Sequence, residues 1–368
     1  MISGDAPHVA GKGMKLTAEH IEPLVIGGAL LGGGGGGDLA EGGRFARLAL
    51  ELGHPHLITV NELPSDATVV TVALVGAPSA PDRFVAPDDL PRAVLLLEEK
   101  WSQRIDALNG NENGGFASVN GWVQSAVLHL PLVDAPCNGR AHPTALMGAM
   151  GLHRRVGYIS RQAAVGGDSS RHLEMTVSGS LEAASALVRQ AAVQAGGLVA
   201  VARNPVDPRY LTSHGAPGAI TMALRVGEAI LQAVSKGREA AWEAAARAIR
   251  GRVIDVGRVI RVDLHTAGGF DQGTVTIQAD GVYELTFWNE YMTLEQEHER
   301  LATFPDLIAT LDDRGQPLTT AEISPGRMVA IVVTAQEHLI LGDGMRDPEL
   351  FRAAEQVIGK DLVAHAFA

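Results

Sequence analysis

Among the residues able to do chemistry, the single cysteine stands out. Cys137 sits in a polar turn, Asp134-Ala135-Pro136-Cys137-Asn138-Gly139-Arg140-Ala141-His142, just before a helix expected to begin at Pro143. A helix N-terminus, Arg140 and a protonated His142 would each favour thiolate over thiol, and the thiolate is the nucleophile. The alternative for a free cysteine is a small buried hydrophobe. Glu112 and Asn113, followed by Gly114-Gly115, offer a carboxylate beside an oxyanion-type donor, although a turn with an asparagine helix cap has the same pattern. Upstream lie six consecutive glycines, Gly32 to Gly37, then Asp38. Glycine brings no side chain to a core, but it frees backbone N–H groups to approach a ligand. Gly34, Gly35, Gly36 and Gly37 are therefore candidate ligand contacts. Asp38 is one too, though as the cap of the following helix it needs no ligand. Asp134 and Asn138 flank the cysteine, and Asp134 also reads as a cap. Asn289-Glu290-Tyr291 ends an alternating run and can reach a cleft, although spacing alone favours an exposed loop. His54-x-His56 is the nearest approach to a metal-ligand pair among 13 histidines. With no His-Glu-x-x-His and no paired cysteines, a metal and any cofactor stay unassigned.

Certain elements must position these groups. Thr17 can cap a helix from Ala18 to Leu30, and Asp38 with Glu41 opens a second helix to Leu52. Short β-branched runs at Leu57–Val60, Thr68–Val75 (closed by Gly76-Ala77-Pro78), Ile105–Leu108 and Leu130–Val133 alternate with helices at 89–101 and around Val119–Val127. Pro143 fits the first position of a helix to Leu152. Such alternation predicts a doubly wound, mostly parallel sheet, with ligands at the strands' carboxyl ends. Strands at 158–164, 173–177 and 198–202 and helices at 181–195, 219–234 and 238–250 follow. From Arg252 strands dominate, with Asp280-Gly281 a strong hairpin signal. The chain thus divides into an N-terminal α/β domain, 14–160, and a strand-rich α+β domain, 161–368.

Composition narrows the function. Length favours two domains, and 46% hydrophobic content supports a sizeable core. A net charge of −12 argues against nucleic acid or an anionic membrane as partner. No run approaches a membrane span, and Met1–Gly13 reads as a ragged leader without the pattern of a signal peptide. One cysteine allows no internal disulfide and fits a cytoplasmic protein. A small-molecule substrate is the expected partner. The Ala-rich helix around Arg238–Arg250 leaves a homo-oligomer open.

Taken in order, the loops resemble one family, the S-methyl-thiohydantoin desulfurase family of hydantoinase-associated proteins (domain of unknown function 917). The matching stretches are LLGGGGGGD (Leu30–Asp38), VALVGAPS (Val72–Ser79), ENGGFASVNGW (Glu112–Trp122) and LPLVDAPCNGRAHP (Leu130–Pro143). In the second half they are GAPGAITMALRVGEAI (Gly215–Ile230), FWNEYM (Phe287–Met292) and FPDLIATLDDRGQPLTTAEISPGRMVAIVV (Phe304–Val333). The resemblance implies two α/β domains and hydrolysis of an S-methyl thiohydantoin to a hydantoin and methanethiol. The sequence departs from the commoner family pattern in two places. Asp-Gly-Asp-Gly-Met-Gly-Arg-Ala-Phe-Pro is usual where residues 134–143 stand here, and Leu39 replaces an aromatic after the glycine loop. Both departures fall within the candidate site and bear on substrate and reaction.

The expected chemistry is hydrolysis at an amidine-like or imide carbon of a five-membered ring, by Cys137 or by a water activated by Glu112. Arg140, Asn113 and the glycine amides would hold ring oxygens, and His142 would shuttle the proton. The rival readings are a non-catalytic ligand-binding or partner subunit of a hydantoinase-type system and a metal-dependent amidohydrolase.

Overall fold

The computed structural model describes residues 13–77 and 80–367. The expected leader up to Lys12, and Pro78 and Ser79 after the third strand, lie outside the described residues.

The first sheet contains β1 (Met14–Lys15), β2 (His56–Ile58), β3 (Val69–Gly76), β4 (Ala107–Gly110), β5 (Leu132–Val133), β6 (Ser160–Gly166), β7 (Leu173–Gly179) and β8 (Leu198–Val206), in the order β1-β2-β5-β4-β3-β8-β6-β7. The run β2-β5-β4-β3 is parallel, as strand–helix alternation requires. The rest of the sheet is antiparallel, so the whole is mixed rather than mostly parallel. β8 pairs with β3 along seven residues, so β6, β7 and β8 extend the first sheet rather than open a new one. Residue 160 thus falls inside this sheet, where its parallel part gives way to its antiparallel part.

The helices are α1 (Ala18–Gly32), α2 (Leu39–Leu52), α3 (Asp89–Trp101), α4 (Trp122–Leu128), α5 (Leu181–Gln194), α6 (Pro208–His214), α7 (Ala219–Val234), α8 (Arg238–Ala248), α9 (Pro348–Ile358) and α10 (Val363–Ala366). The second sheet is antiparallel throughout. It is built from β9 (Arg252–Ala267), β10 (Phe270–Gln278), β11 (Val282–Trp288), β12 (Glu290–Gln296), β13 (Glu299–Thr303), β14 (Leu307–Leu311), β15 (Pro317–Leu318) and β16 (Met328–Thr334). Asp280-Gly281 turns β10 into β11 in the register expected of a hairpin. The chain is thus an α/β domain joined to a strand-rich domain. No described helix is long and apolar enough to cross a membrane.

The helix expected at 143–152 does not form; only a single turn, Met147–Ala149, is helical. Gly148 and Gly151 weaken a helix at two points, and Gly148 packs its bare Cα against the His142 ring and the Asn111 side chain.

α1 is the element that aims the glycine loop, and its packing depends on missing side chains. A Cβ on Gly27 would overlap the Ala223 carbonyl of α7, and one on Gly227 of α7 would overlap the Pro23 carbonyl of α1. The two helix backbones therefore touch directly. On the next face of α1, a Cβ on Gly28 would overlap Ser118 Oγ and the Gly114 carbonyl. α1 is wedged between α7 and the turn after Glu112, so its end cannot drift from that turn.

Candidate functional site

A cavity of about 420 Å³ opens where the two sheets meet, within the range of small-molecule sites. Its walls include Gly34, Gly35, Gly36, Gly37 and Asp38 from the loop between α1 and α2, Glu112 after β4, His142, and Asn289 and Glu290 from the β11–β12 turn. The structure brings these candidates together.

The glycine loop is held by its carbonyls. Gly33 O accepts from Tyr291 N (2.8 Å), Gly34 O from Thr320 N (2.8 Å), and Gly36 O from Phe116 N and Ala117 N (3.0 and 2.9 Å). These bonds tie α1 to the second sheet on one side and to the Glu112 turn on the other. Gly36 has φ 78°, and a Cβ there would overlap the Gly114 Cα, so only glycine fits. Among the described residues, no protein acceptor meets the N–H groups of Gly34, Gly36 or Gly37. Asp38 accepts from Glu41 N (2.6 Å) and caps α2, while also lining the cavity.

Glu112 is nearly enclosed, with 14% of its side chain exposed. Its Oε2 lies 3.0 Å from His142 Nδ1 and accepts from His142 N (3.2 Å) and Asn111 Nδ2 (3.3 Å). Among the described residues no hydrogen bond engages Oε1. His142 is occupied at both ring nitrogens, because Asn111 Nδ2 stands 3.1 Å from Nε2. That engagement argues against the expected proton-shuttle role, since neither nitrogen is left for a substrate.

Glu290 begins β12 and is 2% exposed. Its Oε2 has no hydrogen-bond partner among the described residues. A Cβ on Gly35 would overlap its Oε1, so the carboxyl lies directly on the loop. Burial pushes its pKa well above the ordinary 4.5, the Glu112 charge pushes the same way, and Arg140 only partly opposes them. Burial thus favours the protonated form of Glu290. The exposed loop expected for 289–291 is instead a buried turn. Asn289 adopts φ 58° there, and its Oδ1 is spent on Asp271 N (2.9 Å).

Five candidates lie outside the cavity. Cys137 is 1% exposed and packs among Ile58, Val69, Ala107 and Val133. Its thiol lies 3.4 Å from Thr71 Oγ1, and burial pushes its pKa up, with that contact opposing. A buried thiol outside the cavity, with its pKa raised, has the surroundings of the buried-hydrophobe alternative rather than those of an activated nucleophile. With no helix at Pro143, the N-terminus that was to stabilise the thiolate is missing as well.

Asn113 is a strut rather than an oxyanion donor. It donates to Gly139 O (3.2 Å) and Ala219 O (2.9 Å) and accepts from Ser118 Oγ (3.0 Å). Asn138 donates to Met147 O (2.9 Å) and accepts from Gly342 N (3.0 Å). Asp134 accepts from Ile220 N (2.8 Å) and Thr221 Oγ1 (2.5 Å), holding the first turn of α7 from outside. Arg140 is fully buried, donates to Pro305 O (3.0 Å) and Asp306 O (2.5 Å), and lies 4.4 Å above the Phe304 ring. Burial pulls its pKa down to about 10. It ties the polar turn to the second domain beneath the glycine loop.

Two further groups escaped sequence reasoning. Arg203, 2% exposed on β8, lines the cavity and donates to Asn111 Oδ1 (2.7 Å). A charge after the apolar run Leu198–Ala202 was the available signal. Arg189 of α5 also reaches the cavity, 4.1 Å over the Phe270 ring, with a pKa lowered to about 10 by burial. Among the described residues, no group of three or more His, Cys, Asp or Glu is placed to hold a metal ion.

Models of the S-Me-THD-like N-terminal domain and the S-Me-THD-like C-terminal domain match residues 19–177 and 180–344. Among solved structures, the chain is similar to the X-ray structure of a protein from Chromobacterium violaceum, a Northeast Structural Genomics Consortium target. That pair shares 20% identity over 94% of this chain and 96% of the other, with a TM-score of 0.71, a likeness of fold. No curated protein matches. The glycine loop, the Glu112 turn and the polar turn all fall inside the first matched domain and the Glu290 turn inside the second, and the chain belongs to the S-Me-THD-like, that is S-methyl-thiohydantoin desulfurase-like, family.

Proposed function

We propose that the chain is a hydrolase of a small five-membered cyclic ureide or S-methyl thiohydantoin, and that Glu112 and Glu290 are its base and acid. The supporting observation is two carboxyl groups on one cavity in opposed environments. Glu112 Oε2 accepts two hydrogen bonds and stands 3.0 Å from His142 Nδ1, whereas Glu290 is buried without a full set of partners, which favours its protonated form. Environments that separate two carboxyl groups in this way assign acid and base roles.

In the proposed reaction, Glu112 Oε1 takes a proton from water as its oxygen bonds to the ring carbon carrying the S-methyl group. The C=N electron pair moves onto the ring nitrogen. Collapse of this tetrahedral species re-forms the C=N bond and breaks the C–S bond, Glu290 supplies the proton that lets methanethiol leave, and the hydroxyl proton of the resulting imidic acid moves to the ring nitrogen. One water is consumed, giving the hydantoin carbonyl and CH₃SH, and the Glu112 proton returns to Glu290 through solvent. The unbonded glycine-loop amides supply donors for ring oxygens.

The test is methanethiol release from an S-methyl thiohydantoin by the purified protein, followed with a thiol reagent. Release that scales with enzyme supports the hydrolase reading. Thermal stabilisation by hydantoin without any release would favour the ligand-binding subunit.

Glu290 also makes a prediction about stability. The native state keeps its proton at a pH where the unfolded chain has lost it, so the unfolded state binds fewer protons. Stability should fall as pH rises from about 4.5, the ordinary carboxyl value, towards the raised native pKa. Glu290→Gln should flatten that decline in melting temperature against pH. Parallel curves for the two proteins would refute it.

A further inference from the structure

Arg203, Asn111, His142 and Glu112 form one row along the wall of the cavity. We propose that Arg203, acting through Asn111, fixes the tautomer of His142 and so holds Glu112 with one oxygen bound and the other turned to the ligand. Both Arg203 and Asn111 are then positioning residues. Only the turning of the second Glu112 oxygen to a ligand rests on the hydrolase reading; the tautomer is argued from geometry alone.

The direction of the row is set at its far end. Arginine has donors and no acceptor. Its Nη2 stands 2.7 Å from Asn111, so the amide atom facing it is the oxygen and the amide nitrogen faces the other way. That nitrogen lies 3.1 Å from His142 Nε2 and brings hydrogens to it. Nε2 must therefore present a lone pair, and the proton of the neutral ring sits on Nδ1.

Two groups face Nδ1. Glu112 Oε2 lies 3.0 Å away as an ion-pair contact, while its hydrogen bond from this residue comes from the His142 backbone N. Asn138 Nδ2, at 3.3 Å, is a donor whose orientation is fixed independently, since its Oδ1 accepts from Gly342 N and its Nδ2 donates to Met147 O. Only the carboxylate of the two can accept, so the proton that the donor at Nε2 sends to Nδ1 meets a neighbouring negative charge there.

Gly148 closes the other side. A Cβ there would overlap Nε2 and lie 2.6 Å from Asn111 Oδ1, so the amide is pressed against the ring. The opposite tautomer would set N–H against N–H at Nε2 and leave Glu112 facing a lone pair. Arg203 thus acts two hydrogen bonds away from the carboxylate it orients.

The experiment is ring-nitrogen NMR on the full-length protein labelled with ¹⁵N-histidine, with the His142 signals assigned by their loss in His142→Gln. The expected wild-type spectrum shows a protonated Nδ1 and an unprotonated Nε2. Asn111→Asp, the same size, replaces the amide donor with an acceptor, and Nε2 should then gain a proton. Arg203→Met should let the amide turn over and give the same gain in part. A wild-type ring protonated at Nε2, or an Asn111→Asp spectrum unchanged from wild type, would overturn the proposal. Should Arg203→Met fail to fold, Asn111→Asp and the wild-type spectrum still decide. None of these readouts needs turnover, so absence of hydrolase activity would leave the tautomer result standing. Where activity is present, Asn111→Asp should lower kcat while leaving KM close to wild type.

Discussion

Glu112→Gln is expected to lower the kcat for methanethiol release by about 10²–10⁴-fold, the usual contribution of a positioned general base. The change is nearly isosteric. The glutamine oxygen will face the donors that now meet Oε2, namely His142 N and Asn111 Nδ2. Its amide group then replaces Oε1 at the cavity, and an amide cannot take the proton of an attacking water. KM should change little, because the donors that hold ring oxygens lie elsewhere, on the glycine loop. Steady-state rates over a range of substrate concentrations separate the two effects. A variant retaining a tenth or more of the wild-type kcat would contradict the role given to Glu112.

Gly27→Ala is expected to cost about 3 kcal/mol of stability, the upper part of the usual range for overpacking. The new methyl would overlap the Ala223 carbonyl and lie 2.7 Å from the Gly227 nitrogen. Both are backbone atoms of α7 and cannot swing aside as a side chain could. α1 and α7 must separate, and the glycine loop at the end of α1 moves with them. The melting temperature should drop, with some loss of turnover even below the transition. A variant as stable as wild type would show that the α1–α7 contact is looser than its geometry implies.

Much of the architecture was legible because it depends on local chemistry. Thr17, Asp38 and Gly53 mark helix ends, and α1 and α2 begin or end at them as expected. Asp280-Gly281 produced its hairpin. The glycine loop, Glu112, His142 and Glu290 were recognisable as polar or backbone-rich groups at element ends.

The burial of Cys137 was hidden for the complementary reason. Its sequence neighbours are polar, but its spatial neighbours Ile58, Val69 and Ala107 come from distant strands. Arg203 is the mirror case, a charge in an apolar strand whose partner Asn111 is 92 residues away. The membership of β6–β8 in the first sheet was equally hidden, because β3 and β8 are far apart in sequence and only their pairing reveals it. Asn113, Asn138 and Asp134 have the side chains of a site, and long-range backbone partners use them as struts.

The assignment of chemistry to the Glu112–Glu290 cavity rather than to the cysteine turn is tested most directly by one side-by-side measurement. Initial rates of methanethiol release from an S-methyl thiohydantoin would be compared for wild type, Glu112→Gln and Cys137→Ala. The expected result is near-complete loss in Glu112→Gln and a rate for folded Cys137→Ala close to wild type. Loss in Cys137→Ala with the rate preserved in Glu112→Gln would contradict it and return the chemistry to the thiol.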